Sequence, residues 1–147
     1  PFVIASAFAA ILSTYVWGRL SDRSSRRVLG LSGMIAAAIL AAAAGVAGAG
    51  GSWLQNGFVL PVLLFGLMIA YQGVRIGRST HLVDMADENR RAAYTALSNT
   101  IIGVVLVAGG VFGIVADIAG IPAVLGIFAL MSAGAVVTAY GLDEVQQ

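Results

Sequence analysis

The densest run of chemistry-bearing residues in the chain is Gly18-Arg19-Leu20-Ser21-Asp22-Arg23-Ser24-Ser25-Arg26-Arg27, four guanidinium groups around one carboxylate. Such a set suits pairing across a gap. Arginine donates a two-pronged fork to carboxylates or anionic headgroups, and Asp22 can accept from the free N–H groups at a neighbouring helix end. Gly18 permits a tight exit from whatever helix precedes the run. A looser set consists of Tyr15, Gln72, Arg75, Thr95 and Asn99. Gln72 and Arg75 are spaced i, i+3, while Thr95, Asn99 and Gly103 fall at i, i+4, i+8. Each spacing gives a polar stripe on one helical face, able to hydrogen-bond a substrate, close a cavity or simply satisfy a neighbouring helix. Arg75 is the sharpest of these, because an ionisable group near the edge of an apolar region is costly and is usually partnered or snorkels to the interface.

Enzyme chemistry finds little support. Gly73-Val74-Arg75-Ile76-Gly77-Arg78-Ser79-Thr80 is one residue short of a phosphate-binding loop and lacks its lysine. Gly30-Leu31-Ser32-Gly33 matches the G-x-S-G string of intramembrane serine proteases, the alternative function to be weighed. A nucleophilic Ser32 needs a base within hydrogen-bond reach, and the sole histidine, His81, falls in the charged segment Gly77 to Arg91, read here as a loop. With no cysteine and one histidine, no metal site and no cofactor are expected. A net charge of +1 argues against a nucleic-acid partner.

These residues must be positioned by membrane-crossing helices. Hydrophobic side chains make up 59% of the 147 residues and charged ones 10%, where soluble domains carry about a quarter charged. The charges are bunched, leaving charge-free stretches at 1–18, 28–74, 92–116 and 118–142. A crossing needs about 20 apolar residues, so the long stretch holds two helices and the total is five. The expected spans are about 1–17, 28–48, 57–75, 93–116 and 120–142, in one transmembrane domain over 1–147. The first, at about 25 Å from Pro1 to Trp17, looks slightly short of the core. All eight basic residues are arginines, at 19, 23, 26, 27, 75, 78, 90 and 91. Positively charged short loops stay in the cytoplasm, which places loops 18–27 and 76–92 inside, together with the C-terminal tail. The outer connections carry turn-forming glycines and Pro122, with Asp117 their only charge. In the second inner loop Asp87 is the expected N-cap of the fourth span, with Glu88 in its first turn. Gly73 with Gly77, and Gly109 with Gly113, have the small-xxx-small spacing of close helix crossings.

The order Gly18-x-Leu20-x-Asp22-Arg23-x-x-Arg26-Arg27 resembles the G-x-L-x-D-R-x-x-R-R signature of the major facilitator superfamily, found between the second and third helices and again between the eighth and ninth. One position departs: Ser25 stands where that pattern usually has glycine. The resemblance implies an all-α membrane protein with five transmembrane helices, a partial six-helix half of a facilitator fold. Two absences favour the C-terminal half, helices eight to twelve. Gln55-Asn56-Gly57 stands where an N-terminal half would carry Arg-x-x-Gln-Gly, and the fourth span lacks the proline of the antiporter motif. The implied function is a secondary active permease of the plasma (bacterial inner) membrane, moving a small-molecule substrate by alternating access, with proton coupling open. The implied partners are the N-terminal half of the same transporter and the lipid bilayer. In the family the signature acid helps hold the cytoplasmic side closed, so the resemblance assigns Gly18, Asp22, Arg23, Arg26 and Arg27 to the gate. It also expects the first, third and fourth spans to line the cavity and the second and fifth to pack outside.

Overall fold

The computed structural model describes residues 2–50 and 57–142; the expected outer turn at 51–56 and the polar tail from Asp143 lie outside them. The described residues form α1 (Phe2–Ser21), α2 (Ser25–Ala49), α3 (Val59–Met85), α4 (Arg91–Ala108), α5 (Val111–Ala119) and α6 (Ile121–Tyr140), with no strand among them. A bilayer dictates this outcome, since a lone spanning segment satisfies its backbone N–H and C=O groups only as a helix. Ser25–Ala49, Val59–Met85, Arg91–Ala119 and Ile121–Tyr140 are each long and apolar enough to cross a membrane. The chain is an all-helical, integral membrane protein.

Three boundaries differ from the charge-based expectation. α1 runs through Gly18 to Ser21, 20 residues and about 30 Å in all, but the added turn carries Arg19, so it lengthens the helix and not its apolar run. α3 continues ten residues beyond Arg75, to Met85, and converts most of the presumed second loop into helix. At 27 residues it is about 40 Å long, some 10 Å more than a hydrocarbon core, so its polar end extends past the apolar region. Charge marks where lipid ends; backbone hydrogen bonding continues in water. The fourth span stays right-handed helical through Gly109 and Gly110 but tightens there to i→i−3 bonding, Gly110 N–H to Val107 and Phe112 N–H to Gly109, which divides α4 from α5. A Cβ on Gly113 would meet nothing within 4 Å, so no other described helix crosses closely at that glycine.

The helix starts and stops have local causes. Ser24, with extended backbone (φ −168°), accepts a hydrogen bond from the Arg27 N–H through its side chain and caps α2. Asp87 does not cap α4 with its carboxylate. Its carbonyl accepts from the Arg90 and Arg91 N–H groups across a turn, and Arg90 holds the cap position without a side-chain bond. Gly120, at φ +83°, ends α5 in a conformation that side chains resist, and Pro122 opens α6.

α2 lies between α3 and α6 and packs most extensively against both; α1 packs on the far side of α3. α5 rests on α6, where Phe112 and Phe128 meet edge to face at 4.6 Å. α4 touches only α3 to any extent and buries no residue. Small residues set the α2 seams. A Cβ on Gly33 would fall 2.8 Å from Val136 of α6, and one on Gly66 would fall 2.6 Å from Ile39 of α2. The tightest point is Gly73, where a Cβ would lie 2.6 Å from the Ser32 Cβ and 2.9 Å from the Trp17 indole. There α1, α2 and α3 converge, with the Trp17 indole N–H donating to the Ile69 carbonyl at 2.9 Å. Gly73→Val therefore forces α3 away from both neighbours. The expected loss is about 1 to 3 kcal/mol, the usual cost of overpacking, read as a lower melting temperature in detergent, whereas Gly45→Ala, in open space, leaves it unchanged.

Candidate functional site

The signature run folds as the last turn of α1, a two-residue turn at Asp22 and Arg23, and the first turn of α2. The Asp22 N–H bonds to the Gly18 carbonyl at 3.0 Å and the Arg23 N–H to Leu20 at 3.1 Å, so the turn tightens directly off the helix. Its charged and neutral members point in opposite senses. Asp22, Arg23 and Arg27 are exposed, whereas Ser21, Ser24 and Ser25 are buried. Arg26 is half-buried and reaches across to α6, donating to the Leu142 carbonyl at 3.2 Å. Arg19, one turn back, lies 5.8 Å over the Tyr15 ring and donates to its hydroxyl at 3.1 Å. Tyr15, Val16, Arg19, Leu20 and Arg23 line an open cavity of about 390 Å³.

Two contacts show which ends of the bundle meet. The Ser25 hydroxyl and His81 Nδ1 are 3.1 Å apart, joining the start of α2 to the end of α3, and Arg26 joins it to the end of α6. The signature turn, the last turns of α3, the start of α4 and the end of α6 therefore share one end of the bundle. All eight arginines lie at or toward it, and among the described residues the opposite end carries Asp117 alone.

The second candidate set is not gathered into one constellation. Tyr15 is exposed on α1 with Arg19 as its partner; Gln72 is half-buried; Arg75 and Thr95 are exposed. Asn99 does meet α3, through Arg78. Arg78 donates to the Ser98 hydroxyl at 3.0 Å and to the Asn99 side-chain oxygen at 3.4 Å, the polar tie between α3 and α4. The i, i+3 step from Arg75 to Arg78 is the sequence signal for this tie, and it becomes one because the helix continues past Arg75.

Several hydroxyls within the spans serve their own helix. Ser13 donates to Ala9 on its own helix, Thr14 to Ala10, Thr100 to Ala96 and Thr138 to Ala135. A hydroxyl folded back on its own helix needs no water-filled cavity. The protease string is similarly self-contained. Ser32 is fully buried and donates to Leu29, while His81, far from being in a solvated loop, is buried on α3 against Ser25. Among the described residues no group of histidines and carboxylates could hold a metal ion.

The family model of the Major Facilitator Superfamily matches residues 2–147. The chain belongs to that superfamily. It is therefore a member of a family of membrane transporters, and its apolar helices are transmembrane helices. Comparison with curated proteins and with solved structures returned no match.

Because Arg78 is the polar tie holding α4, Arg78→Ala should free that helix. The expected result is faster backbone amide hydrogen exchange in α4, by about threefold to tenfold, in line with about 1 kcal/mol for one lost interhelical hydrogen bond in a membrane. Arg78→Lys should recover part of the protection.

Proposed function

We propose that the chain is the C-terminal portion, helices eight to twelve, of a secondary transporter that moves a small molecule by alternating access, rocking against an N-terminal half around a site near the bilayer midplane. The observation that carries this reading is the gathering of all arginines to the end of the bundle where the signature turn sits. By the positive-inside bias that end is cytoplasmic, as is the C-terminus, and the signature turn then presents Asp22, Arg23 and Arg27 to the cytoplasmic face of the companion half. In this reading α4, which exposes Leu97, Ile101, Val104, Leu106 and Val107 and has almost no packing of its own, is the element that faces the companion half. Arg78, Ser98, Asn99 and Arg75 border that surface toward the arginine-rich end, where they suit a gate or the rim of the substrate path. The carboxylates within the crossing helices, Asp84 and Asp117, stand at their ends, so a proton-coupling carboxylate near the midplane, if the transport is proton-driven, belongs to the companion half.

Thiol labelling checks the orientation. The chain has no cysteine, and Ser24 is the buried cap of α2, so the exposed Gly57 and Ser79 are the better reporters. In right-side-out membranes Gly57→Cys should react with an impermeant maleimide and Ser79→Cys should not; equal reaction of both overturns the orientation. The gate is tested at Asp22. A charge-assisted contact is worth about 1.5 to 3 kcal/mol, enough to shift a two-state population more than tenfold. Asp22→Asn in the full-length transporter should accordingly cut transport by about tenfold without loss of protein, with Ser79→Cys becoming more reactive. Unchanged transport and reactivity would leave Asp22 without a gating role.

A further inference from the structure

Three serines within five residues, Ser21, Ser24 and Ser25, are between 2% and 3% exposed, at a turn whose neighbours are charged. Buried hydroxyls need partners or they cost the desolvation of the group. Ser24 has one, as the α2 cap. Ser25 also has one, but it comes from 56 residues away: His81 Nδ1, on α3. His81 is in turn a buried imidazole whose placement the polar composition of its segment did not suggest.

We infer that His81 is a positioning residue for the signature turn, and that the buried Ser25–His81 pair is the clasp that holds Asp22, Arg23 and Arg27 in their outward setting. The inference rests on the gate reading above only for its consequence in transport; the clasp itself rests on geometry. His81, Gly77 and Gly73 follow one another at four-residue steps along α3, and each faces a successive turn of α2. His81 meets Ser25, Gly77 lies against Val28 and Leu29, and Gly73 lies against Ser32. The two glycines let the helices approach too closely for side chains, and the imidazole closes the row with a hydrogen bond at the point where α2 begins. On the other side, Arg26 ties the same first turn of α2 to the Leu142 carbonyl. The start of α2 is thus gripped by two polar contacts from α3 and from beyond α6, and the chain entering it has nowhere to go but outward through Arg23 and Asp22. Position 25 is also where the signature departs from its usual glycine. A serine there brings a hydroxyl into a buried place, and His81 is what makes that hydroxyl affordable.

Ser21 supplies the reporter. Its hydroxyl is buried and without a hydrogen-bond partner among the described residues, so Ser21→Cys, in a background with any cysteine outside these 147 residues replaced, introduces a nearly isosteric thiol that is shielded while the turn is seated. Labelling with N-ethylmaleimide, in membranes holding the full-length transporter, reads that shielding directly. His81→Ala should raise the labelling rate by about tenfold, the factor that corresponds to losing one buried hydrogen bond. His81→Asn carries an amide at the position of Nδ1 and should keep the thiol protected to within about twofold of the parent, whereas His81→Gln, whose amide lies one bond further out, should behave like His81→Ala. His81→Leu fills the site without a polar atom; protection by Leu equal to that by Asn would mean that packing alone seats the turn, and would overturn the proposal. Protection retained in His81→Ala, with folded protein confirmed by monodisperse elution, would overturn it as well. Transport measured on the same variants separates the two readings. A thiol exposed in His81→Ala with transport intact upholds the clasp and removes the gate role of the turn; exposure and transport loss that are both rescued by Asn uphold both.

Discussion

The close antiparallel approach of α2 and α3 is the contact on which the rest of this bundle depends. Lipid tails are as apolar as leucine, so helices in a bilayer gain nothing by hiding apolar faces from them and adhere instead through close packing and polar contacts. Gly73 and Gly77 remove the side chains that would hold α3 away, and Ser32, Val28 and Leu29 fill the space. From that seam the other positions follow. α1 is fixed to α3 by Trp17, which packs on Gly73 and bonds the Ile69 carbonyl, and α6 is fixed to the opposite face of α2 through Gly33 and Val136. The alanine-rich second span, with Ser32 as its one hydroxyl between Val28 and Gly48, is the centre of the described bundle because its small side chains let two neighbours come close.

Polar side chains divide into those that serve their own helix and those that join two. Ser13, Thr14, Ser32, Thr100 and Thr138 satisfy themselves on nearby carbonyls, which is cheap in a low-dielectric setting and carries no information about a cavity. Trp17, Ser25 with His81, Arg26 and Arg78 reach other helices or their ends. The last three of these ties are concentrated toward the arginine-rich end. The bundle is therefore cross-braced by hydrogen bonds where its charges are and held by small-residue packing elsewhere.

α4 stands apart from this bracing. It is hung from α3 chiefly by Arg78, exposes its apolar side chains and tightens at Gly109 and Gly110 before α5 resumes contact with α6. The signature turn belongs to the braced part: its serines are buried, while Asp22, Arg23 and Arg27 stand exposed.

Composition and the grouping of charges were enough to determine a membrane protein of apolar helices, and the residue order around Asp22 was enough to indicate the family. Those features are local: the hydrocarbon core imposes an apolar length on each helix, and the signature occupies ten consecutive residues. Where the helices end was only partly legible, because lipid and water are told apart by charge while a helix is limited by its hydrogen bonds, so α3 runs on to Met85 through a segment that reads as loop. Partners were not legible at all. That Asn99 meets Arg78, that Gly73 is a three-helix contact while Gly113 touches nothing, and that His81 is buried against Ser25 all depend on how helices far apart in sequence align side by side. Periodicity gives each helix a face but not the register at which two faces meet, and only the tertiary structure, through the steric fit of α2 into α3, decides that register.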